Sequence, residues 1–130
     1  SIYKMEKVIF EEVAAGQPLP LLSFYLSRND VISFHQTVGI GHDDFVSPIM
    51  ILAIAMSKMT EIMPLPFSTL HVGQQLDWYS PVDIDDHLNG QFVLRNRRYS
   101  ENSILHYFDL EISNSGKIVA DGRITLQTDA

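Results

Sequence analysis

The chain has 130 residues, 45% of them hydrophobic and 19% charged, the balance of a folded globular chain rather than a disordered one. A net charge of −7 argues against binding nucleic-acid backbones, and the absence of cysteine excludes disulfides, zinc–thiolate sites and a thiol nucleophile. The longest apolar run, Ile49 to Met56, is too short to cross a bilayer, and Ser-Ile-Tyr-Lys-Met-Glu-Lys lacks the apolar core of a signal peptide. A reducing cytoplasm is the expected compartment. With no repeat, low-complexity tract or linker, a single domain over 1–130 is expected.

In chain order, residues 7–13 read as a strand or turn, followed by the breaker Gly16-Gln17-Pro18, and Leu21 to Leu26 reads as a short strand. Ser27 is placed to cap a helix, with Asp30 at its third position. That helix should run to about Thr37, with Val31, Phe34, His35 and Val38 on one face and Gly39-Ile40-Gly41 at its end. Ser47-Pro48 is a second start signal, for a helix over Ile49 to Met63 stopped by Pro64 and Pro66. Its first two turns are apolar on nearly every side, so it is expected to be buried all round, Ala53 and Ala55 included. Ser57, Lys58, Thr60 and Glu61 should bring its C-terminal end to the surface.

The second half reads as strands: Leu70 to Tyr79, His87 to Arg98, Ile104 to Ile112 and Ile118 to Leu126, with a hairpin at Asn114-Ser115-Gly116. Simple alternation puts Arg95 and Arg97 on one face of their strand and Arg98 on the other. Helices followed by consecutive antiparallel strands make an α+β order, and the 49–63 helix is the only adequate cover for a sheet that is apolar on one face.

Four stretches carry a resemblance. They are F-E-E-V-A-A-G-Q-P-L-P near the start, V-S-P-I-M-I-L-A-I-A at the central helix, W-Y-S-P-V-D-I-D-D-H-L after the first long strand, and N-S-G-K-I-V-A-D-G-R-I-T-L at the last hairpin. In this order they resemble the MaoC-like hydratases and dehydratases over nearly the whole chain. The resemblance implies a hotdog fold, a long helix wrapped by an antiparallel sheet. It also implies addition of water to, or its removal from, an acyl thioester on coenzyme A or acyl carrier protein. In that family an Asp and a His in G-D-x-N-P-x-H-x-D handle water and proton, and the N-terminal amides of the central helix hold the thioester oxygen. No cofactor or metal is implied.

This chain departs from the pattern. Between Thr37 and the helix stands only Val-Gly-Ile-Gly-His-Asp-Asp-Phe-Val-Ser-Pro, with no D-x-x-x-x-H, and Ile49 occupies the position of the glycine that usually precedes the helix methionine. In two-domain members one half has lost the catalytic pair and mainly binds the acyl carrier, and V-S-P-I-M resembles that half. Gly41-His42 echoes the G-H-F-P of β-hydroxyacyl carrier-protein dehydratases, another hotdog family, without the glutamate those enzymes carry in the helix.

His42, Asp43 and Asp44 form the best chemical cluster, since an imidazole beside carboxylates near a helix N-terminus can act as an acid or base. Ile49, Met50, Trp78 and Tyr79 are the expected substrate-binding residues. Asp83, Asp85, Asp86 and His87 read as a solvated turn, and His35, His71 and His106 as structural. Arg95, Arg97 and Arg98 could meet carrier phosphates or form a solvated outer face. The leading expectation is a hydratase or dehydratase of acyl thioesters. The rival is a non-catalytic hotdog subunit that binds an acyl chain or completes a heterodimer, and a third reading is a thioesterase. A homodimer or hotdog heterodimer is expected, because a lone sheet leaves an edge strand free to pair.

Overall fold

The computed structural model describes residues 7–39 and 45–130. Among them five strands form one antiparallel sheet in the order β1-β3-β4-β5-β2: β1 (Leu22–Tyr25), β2 (Leu70–Trp78), β3 (His87–Tyr99), β4 (Ser103–Asn114) and β5 (Lys117–Asp129). Two α-helices, α1 (Arg28–Val38) and α2 (Pro48–Ile62), lie between β1 and β2 in the chain. None of the described helices is long and apolar enough to cross a membrane.

Local chemistry accounts for most boundaries. The Ser27 side chain accepts the Asp30 N–H and starts α1, which ends on Gly39 in the left-handed region. At the last hairpin Ser115 and Gly116 have φ of 51° and 81°, the two positive values that a tight two-residue turn between twisted strands requires.

One face of the sheet meets α2. Leu88, Phe92 and Leu94 of β3, Phe108, Leu110 and Ile112 of β4, and Ile124 and Leu126 of β5 join Met50, Ile51, Leu52, Ala55 and Met59 of α2 in one buried cluster. The expectation that α2 is enclosed all round is corrected here. Ala55 is 0% exposed, whereas Ile49 is 64% exposed and Ala53 also faces solvent. The sheet therefore covers one face of α2 and leaves an uncovered stripe. Nor does the C-terminal end surface completely, because Met59 and Met63 are buried while Ser57 and Glu61 are exposed.

The other face of the sheet is an open polar groove bounded by Asp77, Asp109, Glu111, Asp121, Arg95 and Arg123. Arg95 pairs with Asp109 at 3.3 Å, and the side chains of both are substantially exposed. The expected placement of Arg95 and Arg97 on a common face does not hold. The β3–β4 register shifts between Leu94 and Asn96, so Arg95 lies on the polar face while Arg97 pairs with buried His106 on the core side.

Arg97 is then consumed by structure. Its Nε donates to His106 Nδ1 (2.9 Å), Nη1 to the Val13 carbonyl (2.7 Å) and Nη2 to the Phe10 carbonyl (2.7 Å). This ties the 3-10 turn Phe10–Glu12 to the sheet and leaves Arg97 a poor phosphate binder. Burial, reinforced by the Arg97 charge, lowers the His106 pKa from 6.5 to about 4. Above pH 6.5 neither folded nor unfolded chain binds this proton, so there is no penalty. As pH falls from 6.5 toward 4 the unfolded chain takes up a proton that the folded chain does not, and stability drops. The slope is at most about 1.4 kcal/mol per pH unit, less any solvent screening at the adjoining cavity. Urea midpoints between pH 6.5 and 5 should fall more steeply for the native chain than for His106→Gln; parallel slopes would show that His106 does not carry the effect.

Candidate functional site

The site is built around the first turn of α2. Pro48 has no N–H to offer, and the first bond within the helix runs from the Ile51 N–H to the Ser47 carbonyl (3.2 Å). The Ser47 side chain makes no capping bond, contrary to the role its position implies. Among the described residues the Ile49 and Met50 amides consequently have no acceptor. Two free N–H groups at the positive end of a helix dipole can receive an oxygen that gains negative charge.

The residues around that turn are held from two sides. His35, buried on α1, accepts the Ser47 N–H through Nε2 at 3.3 Å, so its ring proton lies on Nδ1. From the other side the Val46 N–H donates to the Val82 carbonyl (2.8 Å), and Phe45 bridges to Asp83. The cap of α2 is thus pinned between α1 and the β2–β3 connection.

Beside it opens a cavity of about 230 Å³ lined by Pro48, Ile51, Trp78, Tyr79, Pro81 and Val82. Its walls are mainly apolar. Trp78 is half-buried and joins the core on its other side. Tyr79 contributes to the wall, but its hydroxyl donates to Asp121 at 2.6 Å, and Asp121 borders the polar groove on the opposite face. That hydrogen bond, with smaller contributions from desolvation and the Asp121 and Asp77 charges, pushes the Tyr79 pKa up to about 12. A phenol so committed is a wall and not a proton carrier at neutral pH.

The expected substrate-binding residues therefore separate. Trp78 and Tyr79 line the cavity, Ile49 projects into solvent, and the Met50 side chain is buried in the core. Ile49 and Met50 bear on the site through their backbone amides. His42, Asp43 and Asp44 lie outside the described residues. In the sequence Asp44 directly precedes Phe45, and His42 stands five residues before Ser47. Sequence reasoning missed His35 as a support for the α2 cap. Its helical face, shared with Val31, marked it as buried but could not name Ser47 as its partner.

The aspartates after Pro81 form a turn: the Asp83 N–H donates to Asp86 Oδ2 (2.9 Å), and Asp85, at φ 70°, accepts the Tyr25 hydroxyl (2.7 Å). Among the described residues no cluster of His, Asp or Glu is arranged to hold a metal ion.

Solved structures identify the architecture. A MaoC-like dehydratase from Rhodospirillum rubrum matches with a TM-score of 0.79 at 15% identity, covering 94% of this chain and 97% of that one. The chain has the hotdog fold. An (R)-hydratase from A. caviae involved in PHA biosynthesis shares it, with a TM-score of 0.75, 15% identity, and coverage of 89% of this chain and 97% of the other. So does the C-terminally truncated HadBC (3R-hydroxyacyl-ACP dehydratase) complex from Mycobacterium tuberculosis, with a TM-score of 0.73, 14% identity, and coverage of 88% and 96%. No protein-family model and no curated protein matches the sequence. At these identities the likeness establishes the hotdog fold alone.

Proposed function

We propose that this hotdog protein binds an acyl thioester against the first turn of α2 and adds or removes water across the adjoining carbon–carbon bond. The observation that carries the reading is the pair of Ile49 and Met50 amides, which have no acceptor among the described residues, next to a mainly apolar cavity lined by Pro48 and Ile51. Hydration of an enoyl thioester moves negative charge onto the thioester oxygen, and fixed N–H donors at that oxygen lower the barrier. Trp78, Pro81 and Val82 would cover the acyl group, and His42 with Asp43 or Asp44 would exchange the proton and orient the water. The names of the hydratase and dehydratases that share this fold support the reaction class. Turnover of crotonyl-CoA by the purified protein is the test.

A second reading, a non-catalytic acyl-binding subunit paired with a catalytic hotdog partner, draws on a specific observation. Ile49, 64% exposed, stands where the resemblance expects glycine, and a β-branched side chain leaves less room at its own amide than glycine would. The HadBC structure is named as a complex, which gives a precedent for pairing between hotdog chains. On this reading crotonyl-CoA is not turned over, yet an acyl-CoA still raises the melting temperature.

Both readings share an oligomeric expectation. Strand β2 is an edge of the sheet, with Leu70 56% and Val72 48% exposed, and the uncovered stripe of α2 begins at exposed Ile49. An unpaired edge bearing apolar side chains is a template for pairing with a second chain. Light scattering at micromolar concentration should give the mass of a dimer, either alone or after co-expression with a hotdog partner. A monomer in both preparations would contradict it.

A further inference from the structure

A separate cavity of about 240 Å³ lies by the C-terminal end of α2 and shares no lining residue with the one beside Trp78. The 15 residues of α2 put about 20 Å between the two ends. Phe10, Pro66, Tyr99 and Ile104 supply its apolar wall; His106, 3% exposed, and Thr128, 7% exposed, supply a buried polar floor.

The direction of the hydrogen bonds in that floor is fixed. An arginine Nε can only donate, so the 2.9 Å contact from Arg97 makes His106 Nδ1 an acceptor and leaves the ring proton on Nε2. His106 Nε2 then donates to Thr128 Oγ1 at 2.7 Å. With its oxygen accepting, the Thr128 hydroxyl has its own proton left to donate, and among the described residues it has no acceptor. The chain Arg97 to His106 to Thr128 thus ends in a buried donor within a cavity.

We propose that this cavity binds a small neutral molecule with an apolar body and a carbonyl oxygen, which accepts the Thr128 hydroxyl proton. The size sets the class: about 240 Å³ falls below the range of about 300–1,000 Å³ that suits drug-sized ligands, so a single ring or short chain fits. Charge sets it further. Glu11 and Asp129 also line the cavity, against the single Arg97 guanidinium already committed to two carbonyls and an imidazole, so a carboxylate or phosphate is disfavoured. A ring can lie against Phe10 and Tyr99 while its carbonyl reaches the floor.

Acetophenone is the probe, titrated into the isotopically labelled full chain and followed by amide correlation spectra. Saturable shifts at Tyr99, Ile104 and Thr128 are expected. Thr128→Val should weaken acetophenone about twofold to tenfold, the worth of one neutral hydrogen bond, and leave ethylbenzene, which lacks the oxygen, unaffected. Ile104→Trp, which fills the cavity, should abolish both sets of shifts and serves alone if Thr128→Val does not fold. No saturable shift in the native chain, equal acetophenone affinity in Thr128→Val, or shifts that survive Ile104→Trp would each overturn the proposal.

Discussion

Gly122→Ala should destabilise the chain by more than about 3 kcal/mol, beyond the usual cost of overpacking, because the clash is with backbone and no side-chain rotation relieves it. A Cβ at Gly122 would lie 1.9 Å from the Gln75 carbonyl oxygen and 2.8 Å from the Leu76 Cα. Gly122 sits opposite Leu76 in the β2–β5 ladder, so β2 must move away or the pairing must break. β2 also carries Trp78 and is an edge of the sheet, so the proposed pairing through that edge should weaken together with stability. Gly73→Ala on the same strand pair is the control. Its Cβ would meet the Thr125 Cβ at 3.6 Å, an ordinary contact, and the change should stay within about 1 kcal/mol. Equal denaturation midpoints for the two variants would show that the close approach of β2 and β5 is not a constraint.

His42→Ala should lower turnover of a thioester substrate by about 10²–10⁴ while leaving the melting temperature unchanged, the usual cost of removing a positioned acid or base. The Ile49 and Met50 amides, without an acceptor among the described residues, lie in the first turn of α2 between cavity-lining Pro48 and Ile51, and the stretch shortly before that helix carries one histidine and two carboxylates. The described histidines serve other ends: His35 is buried against the α2 cap, His106 is bound between Arg97 and Thr128, exposed His71 has Nε2 3.1 Å from the Gly73 carbonyl, and exposed His87 lies 4.6 Å, centroid to centroid, from the Tyr25 ring where β1 pairs with β3. His71→Ala should therefore leave turnover intact. Activity that persists unchanged in His42→Ala, Asp43→Asn and Asp44→Asn alike would remove this cluster from the mechanism.

The contrast between what was legible in the sequence and what was not follows the range of the interactions. Ser27 as cap, Gly39 as helix end and Ser115-Gly116 as turn are local stereochemistry, and the strands around them could be placed from alternation. The bulge after Leu94 left no such signal, and it alone moved Arg97 from a surface arginine to the clamp on Phe10 and Val13. The apolar start of α2 could not distinguish Ala55, which meets the core, from Ala53 and Ile49, which are exposed. Serine before proline promised a side-chain cap, yet the Ser47 side chain makes none, and the backbone N–H of Ser47 is instead accepted by His35, 12 residues away in the sequence. Trp78 and Tyr79 line the cavity, but the turn of the Tyr79 hydroxyl toward Asp121 depends on strand pairing that no local pattern encodes.

Addition of water to, or its removal from, an acyl thioester at the first turn of α2 can be followed with crotonyl-CoA and the purified protein. Saturable loss of the enoyl-thioester absorbance, abolished when the approach to the Ile49 and Met50 amides is blocked by Pro48→Trp, is the predicted result. No turnover, alone or with a co-expressed hotdog partner, would contradict it, whether or not crotonyl-CoA or butyryl-CoA raises the melting temperature.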